Sequence, residues 1–131
     1  MRTAVKGYVI KDGKVLLLKR IAGDMYSGIW EPAGGKISPG ETLEDGLRRE
    51  IKEETGLDVQ IVAPLCVHHF TDRKGEKVHM ITFVCLWKAG DVRLSEEHSE
   101  FRWIPLKNLP DWIHSAYSRD VNPLLKLSDQ M

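Results

Sequence analysis

Cysteine, net charge and long apolar runs are what this sequence has least of, and each shortage excludes a class of protein. Its two cysteines, Cys66 and Cys85, stand apart inside apolar runs and form no Cys-x-x-Cys pair. That leaves no disulfide framework and no zinc ribbon, so both thiols are expected to be buried and reduced. The 19 acidic and 19 basic side chains cancel to a formal charge of zero, and no global field draws the chain to nucleic acid or to an anionic membrane. No apolar run approaches the ~20 residues of a membrane span, and a polar break at residues 11–14 comes too soon for a signal-peptide core. The expectation is a soluble, cytoplasmic protein with no nucleic acid and no membrane as partner. Repeats, low-complexity tracts and linkers are missing as well. A chain of 131 residues suffices for one sizeable core but not two, so a single domain over residues 1–131 is expected.

What is present reads as strands mixed with helices. Residues 3–10 and 14–19 are β-branched and aliphatic runs around Asp12-Gly13, a strong hairpin signal. Residues 21–28 read as a loop leading into a short segment at 29–33. The best helix covers residues 42–55. Thr42 caps it with Asp45 three residues on, Leu43, Leu47 and Ile51 recur every fourth residue, and Gly56 stands where a C′ glycine belongs. Residues 57–69 and 78–87 read as longer strands about a polar turn at 71–77, and 101–104 as a short one. Short helices at 105–109 and 115–127 close the domain, with Pro110 and Pro123 limiting their length. His68, His69 and His79 fall in strand-like runs with no partner at zinc spacing and read as core or edge residues. The pattern predicts an α/β domain in which helices cover a mixed β-sheet.

One stretch calls for a chemical explanation. Between Glu41 and Glu54 six carboxylates stand against Arg48, Arg49 and Lys52, in a chain that is otherwise balanced. At about 100° per residue, Glu50, Glu53 and Glu54 share an arc of about 100° beside the stripe of Leu43, Leu47 and Ile51. Glu44, Asp45, Arg48, Lys52 and Thr55 fall on the opposite, polar side. Glutamates at i, i+3 and i+4 repel one another, and near a helix C-terminus they also face the unfavourable end of the dipole. Charge runs usually face water, and a solvated acidic patch is the plainer reading. Gly34-Gly35 and Gly40 favour the other: they flank a loop whose backbone can approach the helix and present carbonyls or amides to a metal or phosphate. Hard carboxylate oxygens gathered in that way suit Mg²⁺ or Mn²⁺.

Gly35, Glu41, Arg49, Glu50, Ile51, Glu53, Glu54, Gly56 and Leu57 together resemble a complete Nudix box, G-x5-E-x7-R-E-U-x-E-E-x-G-U with U aliphatic. With each residue type at roughly 6% of positions, seven fixed residues coincide by chance on the order of once in 10⁹ starts. Residues 30–34 and 97–103 also resemble that family. The resemblance implies the Nudix fold, a mixed sheet sandwiched between α-helices, and hydrolysis of a nucleoside diphosphate linked to a further group. It implies Glu50, Glu53 and Glu54 as ligands of Mg²⁺, with Mn²⁺ as substitute, and a backbone carbonyl of Gly34 or Gly35 as a further ligand. Anionic phosphates approach three carboxylates only where metal ions intervene, which agrees with that assignment. Arg49 then orients Glu41 or a ligand carboxylate by charge-assisted hydrogen bonds.

The general base has two candidates. Glu53 is one, as a crowded carboxylate near a metal. The other is Glu97, preferred over Glu96 and Glu100 in the polar loop before the last strand, where the family often supplies an extra glutamate. For the substrate, Arg20 is a candidate phosphate contact, Gly34 a backbone contact, and Trp30, Glu31, Asp120 and Asn122 candidates to stack on or hydrogen-bond a base. The family resemblance favours a modified or excess nucleoside triphosphate as the small-molecule substrate. ADP-ribose or a nucleoside diphosphate sugar is the alternative, and a non-catalytic nucleotide sensor comes from a different class. An RNA cap is a remote fourth, since no basic stretch is present to hold an RNA body. Family members are often dimers, so a homodimer is an expectation by analogy.

Overall fold

The computed structural model describes residues 1–23 and 26–131, and seven strands form one mixed sheet. The loop expected over residues 21–28 includes Asp24 and Met25, which lie outside the described residues. β1 (Arg2–Lys11) and β2 (Lys14–Arg20) pair antiparallel across Asp12-Gly13, whose φ values of 51° and 75° suit a tight hairpin turn. β3 (Trp30–Glu31) pairs with the outer end of β2, and β4 (Ala33–Lys36) returns to pair with β1. β5 (Asp58–Thr71) and β6 (Lys77–Ala89) form a long hairpin, β6 runs parallel to β1, and β7 (His98–Pro105) pairs with β2. The main path is β3-β2-β1-β6-β5.

Burial on both faces explains why β1 and β2 read as nearly continuous apolar runs. Alternation sends Tyr8, Ile10, Val15 and Leu17 to one core and Val5, Val9, Leu16 and Leu18 to the other. α1 (Leu43–Thr55) covers the second core with Leu47 and Ile51, both fully buried. Thr42 caps α1 by accepting the Asp45 N–H at 3.1 Å, and the Gly56 N–H donates to the Lys52 carbonyl at 2.9 Å. The first core is closed by a 3-10 turn at Leu106–Asn108, α2 (Leu109–Trp112), a 3-10 segment at Ser115–Asp120 and α3 (Val121–Ser128). The sheet therefore lies between helices. No helix of the described residues is long and apolar enough to cross a membrane.

Four local expectations need correction. Thr55, read as part of the polar face of α1, is fully buried; its hydroxyl donates to the Ile51 carbonyl at 2.6 Å and accepts the Leu57 N–H at 3.2 Å. A hydroxyl satisfied within its own helix end has no need of water. Pro110 and Pro123 lie in the first turns of α2 and α3, where an N–H has no intrahelical partner, so they begin these helices and do not limit them. Cys66 is only half-buried, while Cys85 is buried. β7 starts at His98, three residues before the expected strand, because its first residues continue the pairing with β2 as far as Arg20.

Candidate active site

β4 and α1 meet at Gly34 and Gly35. Gly34 adopts φ +149°, and a β-carbon there would collide with the Val5 carbonyl of the neighbouring strand. A β-carbon at Gly35 would lie 2.6 Å from a carboxylate oxygen of Glu50, so the bare backbone lets that carboxylate rest against β4. The Gly34 N–H donates to Glu54 Oε1 at 2.9 Å, and its carbonyl accepts from Lys6 Nζ at 3.3 Å. Lys6 thereby donates to one of the two lone pairs of the Gly34 oxygen, an atom the sequence offered as a metal ligand.

Arg49 organises the exposed side of the cluster. Its guanidinium grips Glu41 through two bonds of 2.7 and 3.0 Å and reaches Glu50 at 3.0 Å, Glu53 at 3.2 Å and the Lys36 carbonyl at 3.1 Å. The Arg49 bonds, joined by the Ser38 N–H at 2.8 Å, hold the Glu41 carboxyl down at about 2. The three clustered glutamates differ sharply in setting. Glu53 has a side chain 58% exposed, Glu50 is half-buried, and Glu54 is 4% exposed. Burial raises the Glu50 carboxyl despite Arg49, with Glu53 and Glu97 adding to the rise. Burial pushes Glu54 up to about 8, opposed by Lys6 and the Gly34 N–H and reinforced by Glu97 and Glu31.

Glu97 reaches this cluster because the irregular segment before it is tethered to the end of α1. The Arg93 N–H donates to the Thr55 carbonyl at 2.8 Å, Ser95 N–H to the Glu54 carbonyl at 3.2 Å, and Ile21 N–H to the Glu97 carbonyl at 3.1 Å. Ligand-capable atoms of Glu54, Glu97 and His98 all lie within 4.8 Å of one another. Glu100 is instead paired with Lys19 on the surface at 3.2 Å.

Behind the cluster lies a buried network that the sequence reading did not anticipate. Glu31, 3% exposed, meets Arg20 at 3.0 Å, Lys6 at 3.4 Å and His98 Nε2 at 2.9 Å, and the Tyr117 hydroxyl reaches it at 3.5 Å. Burial alone would raise the Glu31 carboxyl, but Lys6, His98 and Arg20 outweigh it and bring it to about 2. Lys6 is itself buried, and although burial opposes its charge, Tyr117, Glu31 and Glu54 hold its ammonium above the usual lysine range. One sequence signal for Lys6 existed: a lysine inside a strand buried on both faces must find a partner.

Lys6, Arg20, Glu31 and Gly35 also line the inner part of a cleft of about 1080 Å³. Its outer part is lined by the cations Arg73, Lys74 and Arg119 and by the rings of Tyr26 and Phe70, which are 40% and 42% exposed. Of the residues expected to hold a base, the structure brings only Glu31 to the cleft, and there its carboxylate is engaged by cations. Trp30 packs edge-on against Trp112, centroids 5.5 Å apart, and does not line the cleft. Asp120 is fully buried and accepts from Tyr8 at 2.6 Å and Thr82 at 2.8 Å, with His68 Nε2 at 2.9 Å. It ties the last helices to the sheet and presents no open edge to a base. Asn122 is exposed in the first turn of α3 and lies outside the cleft lining.

These residues fit a divalent cation. Crowded carboxylates held above their usual range, a glycine cradle against one of them and a buried ring nitrogen of His98 with no partner among the described residues are the marks of a place where positive charge belongs. The cleft meets that place at Gly35.

The nucleoside triphosphatase NudI of Enterobacter sp. (strain 638) is 34% identical over 113 residues, spanning 77% of this chain and 80% of that protein. An ADP-ribose pyrophosphatase of Methanocaldococcus jannaschii is 36% identical over 109 residues, spanning 82% of this chain and 63% of that protein. The solved MutT protein of Methanosarcina mazei Go1 shares 31% identity and superposes with a TM-score of 0.80 over 99% of this chain and 96% of that one. The model of the NUDIX domain matches residues 1–125, and the chain belongs to the NUDIX family of hydrolases.

Proposed function

We propose that the chain is a Mg²⁺-dependent pyrophosphohydrolase that converts a nucleoside triphosphate to the monophosphate and pyrophosphate, with Mn²⁺ as a substitute cation. The observation that carries this reading is the continuity of the cleft with the carboxylate cluster at Gly35. The similarity to a nucleoside triphosphatase over four-fifths of that protein's length supports it.

Glu50, Glu53 and Glu54 would hold the cation, with the Gly34 or Gly35 carbonyl as the backbone ligand. When bound, the cation offsets phosphate charge, polarises the P–O bond and acidifies the attacking water. Arg49 fixes Glu50 and Glu53 against Glu41 and so sets the spacing of the carboxylates before any cation arrives. Arg20, at the inner part of the cleft, faces phosphate oxygens. Water attacks phosphorus, the anhydride P–O bond breaks, and the water's proton passes to Glu53 or Glu97 as pyrophosphate leaves. Tyr26 and Phe70, exposed at the outer part of the cleft, offer faces for the base.

A second reading has its own support in the similarity to an ADP-ribose pyrophosphatase. The same cluster would cleave that diphosphate to two monophosphates. Phosphate release with and without added inorganic pyrophosphatase separates the two. Nucleoside triphosphates should give colour only when pyrophosphatase is present, and ADP-ribose should give none in either case while AMP accumulates. Nucleotide binding without turnover across canonical and oxidised nucleotides, ADP-ribose and dinucleoside polyphosphates would make the chain a sensor.

A further inference from the structure

His98 is the one member of the inner cluster whose chemistry the hydrolytic reading leaves unused. Its side chain is fully buried, and its Nε2 lies 2.9 Å from Glu31 Oε2. An ionised carboxylate has only lone pairs to offer, so the proton of that bond belongs to Nε2 and the lone pair of a neutral ring falls on Nδ1. Nδ1 is buried and has no hydrogen-bond partner among the described residues. Ligand-capable atoms of His98, Glu54 and Glu97 all lie within 4.8 Å of one another. A single cation among them would take the ring nitrogen and both carboxylates as ligands at once. Two ligands of a common ion at about 2.0–2.2 Å are separated by at most about 4.4 Å, so the group needs only slight closure to bind one.

We propose that His98 is a metal ligand, its Nδ1 joining the carboxylates of Glu54 and Glu97 in a mixed nitrogen and oxygen site for a divalent transition ion, with Glu31 orienting the imidazole. This rests on the reading of the α1 carboxylates as a cation site and adds to it a nitrogen donor and a preference. A carboxylate holding the far nitrogen is the arrangement that fixes tautomer and ring plane in histidine-ligated metals. An imidazole among the ligands favours Mn²⁺, Co²⁺ or Zn²⁺ over Mg²⁺, which binds oxygen almost alone. Glu54 becomes the shared element, facing the Gly34 N–H on one side and the His98 group on the other.

Pulsed EPR on the Mn²⁺-loaded protein tests this without relying on a variant. Wild-type protein carrying ¹⁴N-histidine and the same protein carrying ¹⁵N-histidine should show a nitrogen coupling to Mn²⁺ that changes with the isotope. In His98→Asn that coupling should vanish, Mn²⁺ affinity should fall about 10- to 100-fold, and Mg²⁺ affinity should change less than about threefold. Bound Mn²⁺ with no histidine coupling in the wild type overturns the proposal and leaves the hydrolytic reading standing. Coupling that persists in His98→Asn also overturns it, and points to a different histidine such as His68 beside Cys66 and Asp120. A protein that binds neither Mn²⁺ nor Mg²⁺ overturns both readings together.

Discussion

Replacing Glu54 by Gln should stabilise the metal-free protein while removing its response to metal. Glu54 is 4% exposed, and burial lifts its carboxyl from an ordinary 4.5 to about 8. As pH rises through 4.5 the unfolded chain releases this proton, and the folded chain retains it until about 8. Stability is therefore lost progressively across that window, by about 1.4 kcal/mol per unit. At pH 7.5 the ceiling is about 4 kcal/mol, and relaxation of the site brings the expected value nearer 2 kcal/mol. Glutamine keeps an oxygen for the Gly34 N–H and carries no charge. At about 3 °C per kcal/mol for a chain of this size, Glu54→Gln in EDTA at pH 7.5 should melt about 6 °C above the wild type, and the gap should close at pH 4.5. Excess Mg²⁺ should reverse the order, since a cation at 100 times its Kd adds about 2.7 kcal/mol to the wild type alone. Thermal melts at the two pH values, with EDTA and with Mg²⁺, measure all four numbers. A Glu54→Gln protein less stable than wild type in EDTA at pH 7.5, or a gap independent of pH, would refute the reasoning.

Glu53→Gln and Glu97→Gln should each lower kcat by about 10²- to 10⁴-fold with melting temperatures near that of the wild type. Steady-state kinetics decide it, and a Glu97→Gln enzyme of wild-type rate removes Glu97 from the mechanism. Asp120→Ala leaves Tyr8, Thr82 and His68 without their shared acceptor and should cost about 2–4 kcal/mol in urea unfolding, with KM nearly unchanged at temperatures where it is folded. A large rise in KM with intact stability would return Asp120 to the substrate. Burial pushes the Cys85 thiol up to about 12, so at pH 8 only about one in 10⁴ is thiolate. A disulfide reagent should spare Cys85 until denaturant is added; above the unfolded pKa of about 8.5 the unfolded chain ionises there first, and stability should fall as pH rises toward 12. Rapid native labelling of Cys85 would contradict its burial.

Local signals in the sequence led to local structure. The Asp12-Gly13 turn, the Thr42 cap and the four-residue repeat of Leu43, Leu47 and Ile51 each act within a few residues, and the structure keeps all three. The box is local too, and it places Arg49 among its carboxylates in one turn of helix. What stayed hidden depends on partners far apart in the chain. The sequence offers Glu31 as a base contact because nothing near it reveals Lys6 or His98, the latter 67 residues away. Asp120 is hidden for the same reason: its partners are Tyr8, His68 and Thr82 on three separate strands. A helical wheel ranked Glu53 and Glu54 as equals, yet β4 covers one and leaves the other in water. Tyr26, Phe70 and Arg119 come to one cleft only once β5 and the 3-10 segment before α3 are in place.

Phosphorus NMR of a nucleoside triphosphate with the wild-type protein, first in EDTA and then with Mg²⁺ added, bears most directly on the carboxylate cluster as a metal-loaded hydrolytic centre. No turnover should occur in EDTA, and Mg²⁺ should bring up the signals of nucleoside monophosphate and pyrophosphate together. Turnover that continues in EDTA, or a nucleoside diphosphate and orthophosphate as products, would contradict it.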